Sequence, residues 1–222
     1  MLKNELKEAS CAQLFRAAYE NRYTWESDFP GYEGNCSWTD GQKEIKGTFI
    51  LGKDLKATVK QIDDEQIKKA ISSQLWEVAI HRVKRSFEQT HGQNTFTYGD
   101  TNEIGSEIIV GGKNEGDKYR VKNDIVTMVY RHIHGNLIVI HTKDVTHTGN
   151  GYLSKSYSSQ YLDPISKEDL KGKNFYTDNF IPLHKGGPWV LGSRCIYQES
   201  SEGSIINKQI FSFSELKSIS YV

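Results

Sequence analysis

A chain of 222 residues is long enough for one sizeable hydrophobic core and lies at the upper edge of what a single β-rich domain holds. One domain over 1–222 is therefore expected, with frayed ends at 1–9 and 214–222. Twenty-eight basic side chains balance 28 acidic ones, which excludes an overall field drawing the protein to nucleic acid or to an anionic membrane, so any such partner must be met by a local patch.

The opening LKNELKEAS has neither the apolar core of a signal peptide nor a lipidation box, and a cytoplasmic protein is expected. Cys11, Cys36 and Cys195 are widely spaced, with no CxxC and no histidine at zinc-finger distance, as reduced thiols would be. No uninterrupted apolar run reaches the roughly 20 residues of a membrane helix.

Residues 4–21 place Leu6, Leu14, Phe15 and Ala18 at helical spacing, with Ser10 and Gln13 as a capping box, and predict an amphipathic helix frayed before Ser10. Asp28, Pro30 and Gly31 end it, and from Tyr32 alternation predicts a strand up to a Thr39, Asp40, Gly41 turn. Strands near 43–51 and 55–61 follow. The period then changes. Asp63 caps, Gln66 closes the box, and Ile67, Ile71, Leu75, Val78, Ala79 and Arg82 recur at three and four, which predicts a helix over 63–85. Its basic end, His81, Arg82, Lys84 and Arg85, fits the carbonyl end of the helix dipole, worth roughly 0.3 to 1 kcal/mol per charge.

After Phe87 the pattern is strands and turns, at about 94–99, 106–111, 117–122, 125–133, 137–147, 152–161, 174–181, 188–198 and 205–213. Nine or more strands in sequence, with one helix before and one inserted, predict an α+β fold. Its sheet is expected to be mostly antiparallel and strongly curved, or a half-open barrel, with a concave face able to bind a ligand.

The segments FRAAYENRYTWESDFPGYEG, DDEQIKKAISSQLWEVAIHRVKRSFEQTHGQNTF, IIVGGKNEGDKYRVKND and GYLS together resemble an uncharacterised family of cyanobacterial and plant plastid proteins, over nearly the whole chain to about Ile196. That family brings no catalytic residue to carry over. The order of helix, aromatic strand, turn, strand beginning Lys46, Gly47, Thr48, Phe49, and inserted helix is similar to the half-open barrel of the bacterial lipoprotein carriers. That likeness implies an apolar concavity holding acyl chains.

Three constellations carry candidate chemistry. Arg16, Tyr19, Arg22, Tyr23, Trp25, Glu26 and Asp28 offer aromatics and guanidinium groups to an anionic or planar ligand, or pin the helix to the sheet. If Gly135 and Asn136 form a two-residue turn, His134 faces Leu137, His132 faces Val139 and Tyr130 faces His141. His132, His134, His141 and Tyr130 then share a face, with His132 diagonal to His141 and no acidic residue near, so no metal is expected there. In SFEQTHG, Glu88 and His91 are an acid and base, but strand alternation points them apart. GGKNEG has neither the spacing nor the strand-then-helix flanks of a phosphate loop, no GxSxG is present, and Cys11 and Cys36 read as apolar fillers.

The reading favoured by the sequence is a binding protein for a hydrophobic or amphipathic small molecule of lipid, pigment or prenyl type. Tyr23, Trp25, Trp38, Phe49 and Trp76 would line its cavity, Arg22 would meet the polar head, and no cofactor is called for. The alternatives are an enzyme using His132, His141 and Tyr130 or Glu88 and His91, and a module docking on a protein complex through a sheet edge or through Arg82, Lys84 and Arg85.

Overall fold

The computed structural model describes residues 2–200 and 202–220, with side chains from Cys11 onward. Helix α1 (Leu2–Glu20) precedes strands β1 (Gly31–Thr39), β2 (Glu44–Gly52) and β3 (Ala57–Lys60), and helices α2 (Glu65–Ile80) and α3 (Phe87–His91) follow. Then come β4 (Asn94–Asn102), β5 (Gly105–Gly112), β6 (Lys118–Lys122), β7 (Ile125–Ile133), β8 (Asn136–His147), β9 (Tyr152–Leu162), β10 (Asn174–Pro182), β11 (Trp189–Glu199) and β12 (Ile205–Ser218). Among the described residues these twelve strands form one open, antiparallel sheet in the order β3-β2-β1-β12-β11-β10-β9-β8-β7-β6-β5-β4. The order is a meander except that the last strand inserts beside the first.

Contacts divide the chain into two compact units. Unit 1 comprises residues 1–23 and 85–175, and unit 2 comprises 24–84 and 176–222. In unit 1, α1 lies over β4, β6 and β7. Phe15 on that helix sits 5.3 Å from Phe96, 5.7 Å from Phe87 and 4.4 Å from Tyr119, ring centre to ring centre. Ile108, Val110, Val121 and Val126 complete a core whose members alternate along each strand, as the pleat requires. In unit 2, α2 buries Ile67, Ile71, Leu75, Val78 and Ala79 over β1 and β3. Tyr32, Phe49 and Phe213 stack edge to face behind it at 5.4 and 5.3 Å.

Five expectations are revised. Helix α1 runs unbroken from Leu2, while the Ser10 side chain of the expected capping box, like Leu6, lies outside the described side chains. Helix α2 is capped by Asp64, whose Oδ1 accepts from the amides of Gln66 and Ile67 at 3.0 and 3.2 Å. It ends at Ile80 rather than 85, because Val83 leaves to form a bridge with Trp25, whose amide donates to the Arg82 carbonyl at 2.8 Å. Arg82, Lys84 and Arg85 thus lie beyond the helix. SFEQTHG is not a strand but α3. Ser86 Oγ accepts from the Gln89 amide and Gln89 Oε1 from the Ser86 amide, an S-x-x-Q capping box that starts the helix. Finally, residues 214–218, expected to fray, belong to β12.

The β7–β8 hairpin turns at His134 and Gly135, with φ of 49° and 78°, the pair of left-handed residues a tight turn of this kind requires. Ile133 pairs with Asn136, so the register is displaced by two residues from the expected one.

Candidate functional site

The face of unit 1 that carries α1 is set by pairing. Tyr119 pairs with Val129, Val129 with Ile140, and Ile140 with Ser159, so all four share it. The next row is Arg131, Ile138 and Tyr161, and Ile133 lies beyond on the same face. Where α1 lies above, Phe96, Ile108 and Tyr119 are buried. Val129, Ile133, Ile138, Ile140 and Tyr161 are only half-buried. The result is an apolar strip open to solvent, with one guanidinium set into it.

Arg131 is set into this strip, and Arg22 acts with it on Tyr119 at the end where α1 lies. Arg131 Nε donates to Asp117 Oδ2 at 3.2 Å, and its side chain remains 34% exposed. Arg22, just past α1, lays its guanidinium over the Tyr19 ring at 3.8 Å and donates from Nε to the Tyr19 carbonyl at 2.9 Å. Among the described residues the Nη groups of both arginines donate to no protein partner, so four NH2 groups remain for an anion. Both charges act on the Tyr119 hydroxyl. Burial pushes that phenol up to about 12, and Arg131 and Arg22 pull it back down. Asp117, 2% exposed, also accepts from the His132 amide at 2.9 Å and lies 3.3 Å from His132 Nδ1. It therefore fixes Arg131 from below rather than facing solvent.

The residues expected to catalyse do not converge. With the register displaced, His132 pairs with Leu137, Tyr130 with Val139 and Met128 with His141. Tyr130, His132 and His141 do share a face, but His132 and the partner of His141 are four residues apart, about 13 Å of strand. His134 is in the turn. Contrary to expectation, an acidic group does reach this hairpin, since Asp117 meets His132. Its position is set by the β5–β6 connection, which hairpin alternation does not see. Among the described residues no group of three metal-ligating side chains occurs.

Glu88 and His91 sit three apart on one short helix, but the first is in solvent and the second is buried. Glu88 is exposed and paired with Arg16, and hydrogen bonds with its own amide and with Arg16 hold its carboxyl below the usual range. His91 is 5% exposed, with Phe15, Tyr19, Phe87, Phe96 and Tyr119 around it and Asn94 Nδ2 at 3.2 Å from Nδ1. Burial brings its imidazole down to about 4, helped by Arg131 and Arg22 and opposed by Asp117. A histidine neutral throughout the physiological range is a packing element here.

The residues expected to line a cavity fall on both units. Tyr23 is buried in unit 1, its amide bonded to the Tyr152 carbonyl at 2.9 Å. In unit 2, Trp25 and Trp38 are each 7% exposed, with indole donors satisfied by the Trp189 carbonyl and by Gln209 Oε1, both at 2.9 Å. Phe49 is 1% exposed. These side chains fill space rather than line it. Trp76 is 51% exposed on the outer side of α2, so it lines nothing, because the buried stripe of that helix passes through Leu75 and Val78 instead.

Unit 2 holds a second cluster that sequence reasoning missed. Arg194 projects from β11 onto the apolar face, paired across to Phe211, which pairs with Trp38. Only 2% exposed, it donates from Nε and Nη2 to the two oxygens of Asp178 at 2.8 and 2.7 Å, and from Nη1 to Gln74 and Glu77 of α2 at 2.9 and 3.2 Å. The arrangement ties helix to sheet and commits its donors. On the other face of β1, β2 and β12 a groove of about 490 Å³ is lined by Asn35, Ser37, Lys46, Thr48, Ser212 and Ser214, the polar alternates of the buried positions.

The chain belongs to a family of proteins of unknown function, DUF3386, whose model matches residues 6–219. No curated protein matches it. Among solved structures it is similar to a LolA superfamily protein from Nitrosomonas europaea, with 8% identity and a TM-score of 0.33, over 96% of this chain and 94% of that one. It is also similar to a DUF1329 family protein from Desulfovibrio piger, with 10% identity and a TM-score of 0.28, over 96% and 93%. No helix among the described residues is long and apolar enough to cross a membrane.

Proposed function

We propose that the protein is a cytoplasmic binding protein for an amphipathic small molecule with an acidic head, of lipid, pigment or prenyl type, held on the face of unit 1 that carries α1. The observation that carries this reading is the pair of guanidinium groups, Arg22 and Arg131, with uncommitted Nη donors beside a half-exposed strip of Val129, Ile133, Ile138 and Ile140. Guanidinium forks match carboxylate and phosphate oxygens, and bonds to an ionised acceptor are the strong ones. Asp117 pre-orients Arg131, so less freedom is lost on binding. From β6 to β9 the strip crosses three strand spacings, about 14 Å, enough for an acyl or prenyl tail lying across the strands. Each methylene buried there contributes at most about 0.8 kcal/mol.

Arg22 keeps in this reading the head-group role expected from the sequence and gains Arg131 as a partner. Tyr23, Trp25, Trp38 and Phe49 take packing roles. The test is titration of the folded protein with cis-parinaric acid, a fluorescent fatty acid. Saturable binding is expected, and Arg131→Ala should weaken it by about 2 kcal/mol, about thirtyfold, with Arg22→Ala acting in the same direction. A folded wild-type protein that takes up no probe, or variants that bind it equally well, would sink the reading.

A further inference from the structure

Two phenols enter the aromatic core of unit 1, and the fold treats them differently. The buried Tyr19 has its hydroxyl 2.7 Å from Thr90 Oγ1 and donates to the Arg85 carbonyl at 3.3 Å. Tyr119 is only 6% exposed, with its ring 4.4 Å from that of Phe15 and 5.9 Å from that of His91. Its hydroxyl nevertheless has no hydrogen-bond partner among the described residues. A tyrosine buried to that extent ordinarily finds a partner for its hydroxyl, because a polar group held out of water and left unpaired is destabilising. Packing alone would be served as well by phenylalanine.

Pairing places this phenol beside the two arginines. Tyr119 pairs with Val129, so Arg131, two residues further along β7, is its diagonal neighbour on the same face, roughly 7 to 8 Å away and within reach of long side chains. On the α1 side, Tyr19 carries the Arg22 guanidinium over its ring, and the rings of Tyr19 and Tyr119 both stand against His91, at 5.2 and 5.9 Å. Burial keeps the Tyr119 phenol protonated, pushed up to about 12, so near neutral pH it has a proton to donate. The donors gathered here exceed what a carboxylate takes up. Its two oxygens are met side by side by one guanidinium fork, which leaves the second fork and the phenol without an acceptor. Asp117 offsets the charge of Arg131, so the number of acceptor oxygens, rather than net charge, selects the head. A phosphate monoester presents three strong acceptor oxygens, enough for two forks and a hydroxyl.

We propose that Tyr119 is the third head-group residue of this site, beside Arg22 and Arg131, and that the head is a phosphate monoester on an apolar tail, with the phenol donating to one of its terminal oxygens. The inference rests on the binding reading above and narrows its acidic head to one chemistry. Tyr119 is then the residue that separates phosphate from carboxylate, since a site that requires a donor to be paired discriminates against a ligand that leaves it unpaired.

The experiment is displacement of cis-parinaric acid from the intact protein by dodecyl phosphate and by dodecanoate, which carry the same tail, below the concentrations at which either aggregates. At about pH 8, where the phosphate is dianionic, dodecyl phosphate is expected to displace the probe at about tenfold lower concentration. Tyr119→Phe keeps the ring and its packing, so its circular dichroism and thermal midpoint should match the parent's. It should lose most of the preference for the phosphate and respond to dodecanoate as the parent does. Inorganic phosphate at the same concentrations should displace nothing. Equal potency of the two amphiphiles, or a preference that Tyr119→Phe keeps in full, would overturn this inference and leave the binding reading standing. Displacement by inorganic phosphate alone would take the tail out of the site and overturn it too. A parent protein that binds no probe would remove the reading on which the inference rests, and the inference with it.

Discussion

Burial decides the chemistry of individual side chains here more than their identity does. His91 looked like a base beside an acid, yet it stands among five aromatic rings and its imidazole is driven down to about 4. The unfolded chain takes up the proton near 6.5 and the folded one only near 4, so acid favours unfolding. The contribution of the neutral ring is complete above about 6.5 and is lost as pH falls from there toward 4. His91→Phe should flatten that limb, so that thermal midpoints followed between pH 7 and 4 fall less steeply than those of the parent. An unchanged slope would mean that other groups govern the acid limb. Arg131 shows the reverse case. It is one of 28 basic residues in the sequence, but it occupies a position on β7 between Val129 and Ile133, opposite Ile138. A charged residue in an otherwise apolar period-2 register is a readable signal, and hairpin pairing is what makes it visible.

Among elements, α2 shows how a helix is tied to a sheet by more than its apolar stripe. Arg194 collects Asp178 from the sheet and Gln74 and Glu77 from the helix inside an apolar layer. Removing one partner of such a pair strands the other charge, whereas replacing the group with apolar side chains need not be costly. Asp178→Ala should therefore destabilise the fold by about 3 to 5 kcal/mol in urea unfolding, and Asp178→Leu with Arg194→Met should recover much of the loss. A single variant within error of the parent would show the pair to be dispensable. The sequence made most elements legible because period and turn residues agree. Strands β1 to β12 and helix α2 are found within a few residues of where alternation, caps and glycines place them. What failed was local competition. Alternation in SFEQTHG outweighed the Ser86–Gln89 box, and the extent of α2 was overread because Val83 pairs with Trp25, a contact some 60 residues distant in sequence.

On the scale of the molecule, long-range topology was the least legible part. Each unit is assembled from two separate stretches of chain, and β12 lies between β1 and β11 rather than at an edge. Neither fact leaves a local trace in composition or periodicity. The same holds for the proposed site, which needs residue 22 and residues 117 to 140 brought onto one unit. The expectation of a cavity lined by tryptophans came from side-chain type, whereas pairing and burial assign those tryptophans of unit 2 to its packing or to the outside of α2. The account therefore turns on where a ligand goes. The deciding measurement is methyl-resolved NMR of the protein labelled at isoleucine δ1, titrated with a long-chain carboxylate. Shifts are predicted at Ile133, Ile138 and Ile140, with Ile67 and Ile71 of α2 unmoved, and Arg131→Ala should displace the curve to higher ligand concentration. Shifts confined to Ile67 and Ile71, or none at any isoleucine, would contradict it.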